Sequence, residues 1–313
     1  MTDRKLVLVT GGNGYVGYYL VQKLSEISEY KVFSLDTQHD PKKITTNVEY
    51  LTCDLTKSNQ VLELPEFEMI FHLAAVNGTQ RFYTEPWSVF YNSLVSTINL
   101  IDRFKASTRL NRFVYTSSSE VYADRFLHKD FDSRSNESIG VGFDDVLNPR
   151  WSYGGAKLAG EIALNSASHE HKLPFTILRY HNVYGPGMGP NHVIPDFIAR
   201  GRKGIFSLAG SENVRSFIYI SDAIEATILA SFSESTFGKI VHIGNEDPVS
   251  MMELAKLIMQ IAGWSGKILV ENAPSGSTSF RCPDVGFLRK LGFSSSIDLA
   301  SGIKQVLSKS DDQ

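Results

Sequence analysis

Tyr153 and Lys157, the ends of Tyr153-Gly154-Gly155-Ala156-Lys157, are the residues of this chain whose types and spacing suit acid–base chemistry. On a helix, positions i and i+4 share one face. A phenol ionises near pH ~10 and is a weak base at neutral pH. An ammonium beside it favours the phenolate and lowers that value. A phenolate so placed can take the proton of an alcohol whose carbon is being oxidised. The same pair is also common on solvated helices, so its meaning depends on what stands nearby. Upstream, residues 112–117 read as a strand that ends in a hydroxyl-rich turn, Thr116-Ser117-Ser118-Ser119-Glu120. Ser118 can point from that strand end into the same cleft and hydrogen-bond the reacting oxygen, and Glu120 can serve as a second acid or base. The plainer readings are an ordinary strand-end turn and a solvated carboxylate.

The elements that must position these groups begin at residues 6–17, Leu-Val-Leu-Val-Thr-Gly-Gly-Asn-Gly-Tyr-Val-Gly. The apolar run suits a strand buried on both faces of a parallel sheet. Gly11, Gly14 and Gly17 follow at intervals of three, and Tyr15, Val16, Tyr19, Leu20 and Leu24 continue at helical spacing. Strand, glycine turn and helix together hold a dinucleotide pyrophosphate: the glycines let backbone approach it, and the helix start faces the anion. A second strand over 31–36 ends in Asp36, 19 residues after Gly17. A carboxylate there accepts hydrogen bonds from ribose hydroxyls and repels a 2′-phosphate, which selects NAD over NADP; the plainer reading is an Asp that caps a turn. A bound nicotinamide would add a second positive charge beside Tyr153.

Strand and helix patterns alternate through the first half. Residues 48–52 read as a strand, with Asp54 just beyond its carboxyl end where an adenine amino group can meet it. Residues 69–73 form another, running into Ala74-Ala75, whose small side chains admit a ligand. A helix is expected from about 85 to 106, with Pro86 in its first turn and Val89, Leu94, Ile98, Ile101 and Phe104 on an apolar stripe. Residues 124–149 read as a long polar loop or lid, 153–167 as a helix and 174–178 as a strand. Repeated β–α units make a Rossmann-type doubly wound parallel α/β sheet the expected fold. Ligands on such sheets bind beyond the carboxyl strand ends, where the glycines, Asp36, Asp54, Ala74-Ala75 and the serine turn all fall. The glycine- and proline-rich stretch 184–190 marks a boundary. The expected division is a dinucleotide-binding domain over 1–180 and a smaller, mixed α/β substrate domain over 181–313, some of whose segments return to the first. Helices are expected near 194–200, 222–232, 251–262 and 297–307.

The 313 residues suffice for two lobes, and 42 % hydrophobic with 21 % charged residues describes an ordinary globule. A net charge of −3 argues against nucleic acid as a partner. Two cysteines fit a reducing cytosol, and charged Asp3, Arg4 and Lys5 leave no apolar leader, so a cytoplasmic protein is expected. No apolar run approaches the ~20 residues of a membrane helix. The eight histidines lack metal-ligand spacing, so no metal is expected.

With these residues in place, the chain resembles the extended short-chain dehydrogenase/reductase family, in its nucleotide-sugar epimerase/dehydratase branch. The likeness rests on residues 10–17, Asp36, Asp54-Leu55, 72–75, Asn92, 113–122, 153–161, 179–186 (Arg-Tyr-His-Asn-Val-Tyr-Gly-Pro), 215–222 and 281–284, which span nearly the whole chain in the family's order. The resemblance implies that Gly11, Gly14 and Gly17 cradle the NAD pyrophosphate. Asn13, Tyr15 and Val16 of the same turn, Leu73, Ala74, Ala75 and Asn92 would complete the cofactor site. Asp36 would hold the adenosine ribose and Asp54-Leu55 the adenine. It further implies Tyr153 as the base, Lys157 as its electrostatic partner and ribose ligand, and Ser118 as the hydroxyl that orients sugar O4. Asn182 would touch the substrate phosphates, and Arg215 and Arg281 would neutralise the diphosphate; a surface ion pair is the plainer reading of each arginine. Members of this branch are commonly dimers joined through the helices here placed at 85–106 and 153–167.

The branch begins by oxidising a nucleotide-diphosphate sugar at C4 to a ketone, then diverges. Dehydratases acting on dTDP-glucose carry Asp-Glu after the catalytic hydroxyl, where this chain has Ser119-Glu120. That pairing resembles GDP-mannose 4,6-dehydratases and UDP-glucuronate decarboxylases, whereas residues 179–186 resemble epimerase-like members. The surroundings of Asn77-Gly78-Thr79 and His192-Val193-Ile194-Pro195 resemble capsule and lipopolysaccharide sugar enzymes. The resemblance thus implies an NAD-dependent epimerase/dehydratase-type enzyme with a 4-keto intermediate, in surface-polysaccharide sugar biosynthesis. The alternatives are a nucleotide-sugar 4-dehydrogenase, a UDP-glucuronate-type decarboxylase using Glu120, and a non-catalytic NAD-binding regulator. An NADP-dependent reductase of small carbonyl compounds conflicts with Asp36.

Overall fold

The six strands read from the sequence, joined by a seventh at Ile240–Ile243, become one parallel sheet. In the computed structural model, which describes residues 4–38, 40, 43–123, 134–190, 192–272 and 278–310, these are β1 (Lys5–Thr10), β2 (Tyr30–Asp36), β3 (Val48–Thr52), β4 (Met69–His72), β5 (Arg112–Ser118), β6 (Phe175–Tyr180) and β7 (Ile240–Ile243). Their order across the sheet is β7-β6-β5-β4-β1-β2-β3, every pair parallel. Alternate side chains face opposite ways along a strand. Val7 and Val9 accordingly enter one core with Leu20, Leu24, Phe71 and Leu178, while Leu8 enters the other with Phe33, Phe104, Phe113 and Leu164. Both faces are covered, so the strands need apolar residues at successive positions.

Helix α1 (Tyr15–Ser25) lies on the first face. Helices α2 (Pro86–Phe104) and α3 (Ser152–His171) pack side by side on the second. The apolar stripe expected on α2 is split. Val89, Ile101 and Phe104 are buried, together with Ser93, Ser96 and Thr97, but Ile98 lies on an exposed face with Trp87 and Tyr91. Small polar residues take the inward positions there because α3 packs closely, and the larger apolar groups are turned outward.

The chain after β6 adds α4 (Val193–Arg202), α5 (Ile220–Phe232), α6 (Met251–Ala262) and α7 (Leu299–Ser310). β7 belongs to the main sheet although it follows residue 180 by 60 positions. Short strands complete this half. One group pairs Val214–Arg215 with Phe280–Arg281 in parallel, setting Arg281 beside Arg215. The loop expected over 124–149 falls partly on 124–133, outside the described residues. Residues 134–148 are irregular, joined to the far segment by a bridge between Ser135 and Pro283, and end at a short 3-10 turn, Pro149–Trp151. Among the described residues no helix is long and apolar enough to cross a membrane, and no group of three or more His, Cys, Asp or Glu could hold a metal ion.

Candidate active site

All strands being parallel, their carboxyl ends share one edge, and the sheet order reverses between β1 and β4. That is where an α/β sheet opens a crevice. The glycine turn sits in it. Gly11 has φ +70°, and a Cβ there would lie 2.8 Å from Ala74 N; one on Gly17 would lie 2.1 Å from the Gly11 carbonyl oxygen. Only glycine permits this approach. No side chain caps the start of α1, so its first N–H groups, which have no partner within the helix, remain for an anion. Backbone without side chains and open donors fit a dinucleotide pyrophosphate. Asp36 ends β2 and accepts from Asn13 N at 3.0 Å and Thr37 N at 2.8 Å, which aims its carboxylate beside the turn. Lys43 donates to the Asn13 carbonyl.

A cavity of about 760 Å³ extends from this turn across the edge of the sheet. Of the expected cofactor residues, Gly11, Gly14, Tyr15, Val16, Gly17, Leu73 and Ala75 line it, with Tyr153 and Lys157. Asn13, Asp36, Asp54, Leu55, Ala74 and Asn92 stand outside it. Asp54 Oδ1 accepts from Thr56 N and Oγ1, Leu55 is buried, Ala74 N donates to Thr10 Oγ1, and Asn92 Nδ2 donates to Ser88. All the expected catalytic and substrate residues line the cavity: Ser118, Glu120, Tyr153, Lys157, Asn182, Arg215 and Arg281.

The Tyr153 ring stacks on Phe82, centroids 5.3 Å apart and 9° from parallel. Ser118 stands near its hydroxyl and pulls toward the phenolate. Lys157 is 2 % exposed; its Nζ donates to Thr116 O at 2.6 Å and lies 5.8 Å from the Tyr153 ring centre. The electrostatics correct one expectation. Burial, then the Glu120 charge, push the phenol above its ordinary value against the pull of Ser118. Burial also lowers Lys157 to about 7, opposed by Glu161. Desolvation penalises each charged form, so the chain's own groups keep Tyr153 protonated, and a further positive charge is required to produce the phenolate.

Glu120 is no solvated carboxylate. It accepts from Arg281 Nη1 at 2.7 Å and from Arg150 Nη2 at 3.4 Å. Burial raises it, but Arg281, Arg150 and Arg215 together hold it below the ordinary range. Arg215 is brought down to about 9, mainly by burial and then by Arg281; its Nη2 donates to Thr278 O and Oγ1, each at 2.8 Å. Asn182 Nδ2 donates to Ser216 O.

Sequence reasoning missed Arg150, Phe82 and the layer beneath. Arg150 stands on the 3-10 turn just before α3, three positions ahead of Tyr153, and that nearness in sequence was the available signal. Phe82 had none. Below, Glu161 and Arg179 form a buried ion pair of 2.6 Å, and Ser117 Oγ donates to Glu161 at 2.5 Å.

Residues 7–244 match the model of the NAD dependent epimerase/dehydratase family. The chain is 29 % identical to a UDP-N-acetyl-alpha-D-glucosaminuronate decarboxylase of Bacillus cytotoxicus over 97 % of each chain. It is 29 % identical to the dTDP-D-glucose 4,6-dehydratase of Homo sapiens over 82 % of this chain and 74 % of that one. Its fold superposes on the crystal structure of a UDP-glucose 4-epimerase with UDP-glucose from Thermotoga maritima, with TM-score 0.87 and 23 % identity over 98 % of this chain and 99 % of that one.

Proposed function

The chain belongs to the NAD-dependent epimerase/dehydratase family, and from that premise we propose that it oxidises the sugar of a nucleoside-diphosphate sugar at C4 to a 4-keto intermediate. The meeting of Ser118, Tyr153 and Lys157 with the glycine turn in one cavity carries this reading. NAD bound on that turn would accept the hydride from C4. Tyr153 takes the O4 proton, and Ser118, which stands near the phenol, orients O4. Lys157, held on Thr116 O, is positioned for the nicotinamide ribose. Asn182 and Arg215 face the diphosphate.

A second reading, of the step after oxidation, rests on Glu120. Arg150 and Arg281 converge on this one carboxylate, and the same guanidinium geometry suits a carboxylate at sugar C6. A C4 ketone makes that C6 group a β-keto acid, which loses carbon dioxide readily. The decarboxylase of B. cytotoxicus, similar over 97 % of its length, supports this branch. The test is incubation with a panel of nucleotide sugars and uronates, read by reduced-nicotinamide absorbance and product mass. Loss of carbon dioxide, loss of water, unchanged mass and loss of two hydrogens separate the branches; no conversion of any sugar nucleotide overturns the proposal. Glu120→Gln lowers a decarboxylation or dehydration by about 10²-fold or more and leaves a C4 epimerisation within a few-fold.

The outward face of the α2–α3 pair supports a homodimer. Trp87 is 73 % exposed and packs against Tyr91, Ile98 is exposed three turns further along α2, and Ile162 of α3 is 61 % exposed; exposed apolar groups on a paired helix face mark an interaction site. Trp87→Glu/Ile162→Glu yields a folded monomer by light scattering; a wild-type monomer contradicts the reading.

A further inference from the structure

The start of α3 and the turn that carries Glu120 are drawn together at Gly154. A Cβ there would lie 2.9 Å from the Glu120 carbonyl oxygen and 3.0 Å from Phe143 Cε1. Bare backbone therefore meets the turn on one side and an aromatic edge on the other. Phe143 reaches this place from the irregular segment 134–148. Gly142 N donates to Val121 O at 3.1 Å, and Ile139 packs with Val121, Tyr122 and Leu158, which seats the segment against both the turn and the helix. The Phe143 ring is half-buried and lies 5.6 Å from that of Trp151, tilted by 37°. Rings at this separation attract and orient each other. Trp151 is buried, and the Arg150 guanidinium stands 5.3 Å from its ring centre, within reach of a cation–π contact. Contacts thus run from Phe143 to Trp151, to Arg150 and on to Glu120. The last of them, at 3.4 Å, is looser than the 2.7 Å contact that Arg281 makes with the same carboxylate, so Arg150 depends more on what backs it.

We propose that Phe143 is a positioning residue: by filling the space beside Gly154 and backing Trp151, it sets Arg150 against Glu120 in the cavity that both share with Tyr153. This role rests on Tyr153 serving as the base. Glu120 faces three guanidiniums, Arg281, Arg150 and Arg215, and its charge raises the Tyr153 phenol. With Arg150 displaced, less of that charge is neutralised and the phenol rises further.

The test compares Phe143→Ala with the wild type, using the sugar nucleotide found to be turned over. kcat falls by about 10-fold or more, because small misplacements of reacting groups are costly. The acidic limb of the kcat profile moves to higher pH, and NAD content stays that of the wild type. Phe143→Tyr, which keeps the ring, restores both kcat and the limb. If Phe143→Ala loses NAD, Phe143→Leu fills the same space without a ring to back Trp151 and shifts the limb alike. A lowered kcat with the limb unmoved or at lower pH overturns the proposal, since Phe143 would then only support the fold. So does an unchanged kcat. If the wild type converts no sugar nucleotide, the oxidation reading fails separately, and the crystal structure of Phe143→Ala decides: Arg150 more than about 4 Å from Glu120 supports the positioning role, and Arg150 still in contact overturns it.

Discussion

Tyr153→Phe lowers turnover by about 10³-fold while the protein still carries NAD. The substitution keeps the ring, and with it the parallel stack on Phe82, so only the hydroxyl is lost. That hydroxyl is the atom Ser118 acts on and, in the proposed oxidation, the one that takes the O4 proton. No neighbour replaces it. Lys157 is committed to the Thr116 carbonyl, and Glu120 is neutralised by Arg281 and Arg150. The check is kcat with the sugar nucleotide identified from the panel, alongside NAD content of the purified variant. Unchanged turnover removes Tyr153 from the mechanism, and lost NAD would make it a cofactor residue only. The pH profile carries a sign. Burial and Glu120 both raise the phenol, and the base must be deprotonated, so activity rises with pH on its acidic limb. Glu120→Gln removes a charge that raises the phenol and moves that limb to lower pH.

Arg179→Met destabilises the fold by about 3–5 kcal/mol, the usual result of removing one partner of a buried ion pair. Arg179 clasps Glu161 through Nε at 2.9 Å and Nη2 at 2.6 Å, and its Nη1 reaches the Tyr122 hydroxyl, which meets His242 at 2.8 Å. The pair sits between β6 and α3, where side chains are almost wholly covered. Without Arg179, the Glu161 carboxylate keeps, among the described residues, only the Ser117 hydroxyl as a hydrogen-bond partner. Urea unfolding measures the loss, and a change under about 1 kcal/mol contradicts it. Arg179→Met/Glu161→Met recovers much of the stability, because replacing both ions avoids the uncompensated charge. The double variant nevertheless loses activity, since Glu161 is the group that opposes the burial-driven lowering of Lys157.

The strands were legible because a doubly covered parallel sheet demands runs dominated by apolar residues, as at 6–10 and 69–73, with 31–36 carrying Val32, Phe33 and Leu35. The glycine turn was legible because Gly17 meets the Gly11 carbonyl within a single β–α unit, although the crowding on Gly11 itself comes from Ala74, 63 positions on. Tyr153 and Lys157 were legible because helical spacing puts i and i+4 together. The stripe on α2 was misread at Ile98 because periodicity reports that a face is apolar, and not whether that face turns inward or outward. Phe82 left no trace, since its partner is 71 residues away and nothing local marks the pairing.

By itself, then, the sequence determined the parallel α/β class, the glycine turn between the first strand and helix, and the Tyr153–Lys157 spacing on one helix face, all of which come from backbone sterics and periodicities acting over a few residues. Only the tertiary structure decided that Glu120 is gripped by Arg281, 161 positions away, and by Arg150. It alone decided, too, that burial pushes Tyr153 up and Lys157 down. Charge pairing and desolvation depend on how much water the packed chain excludes around each group, and that quantity exists only once distant segments have come together.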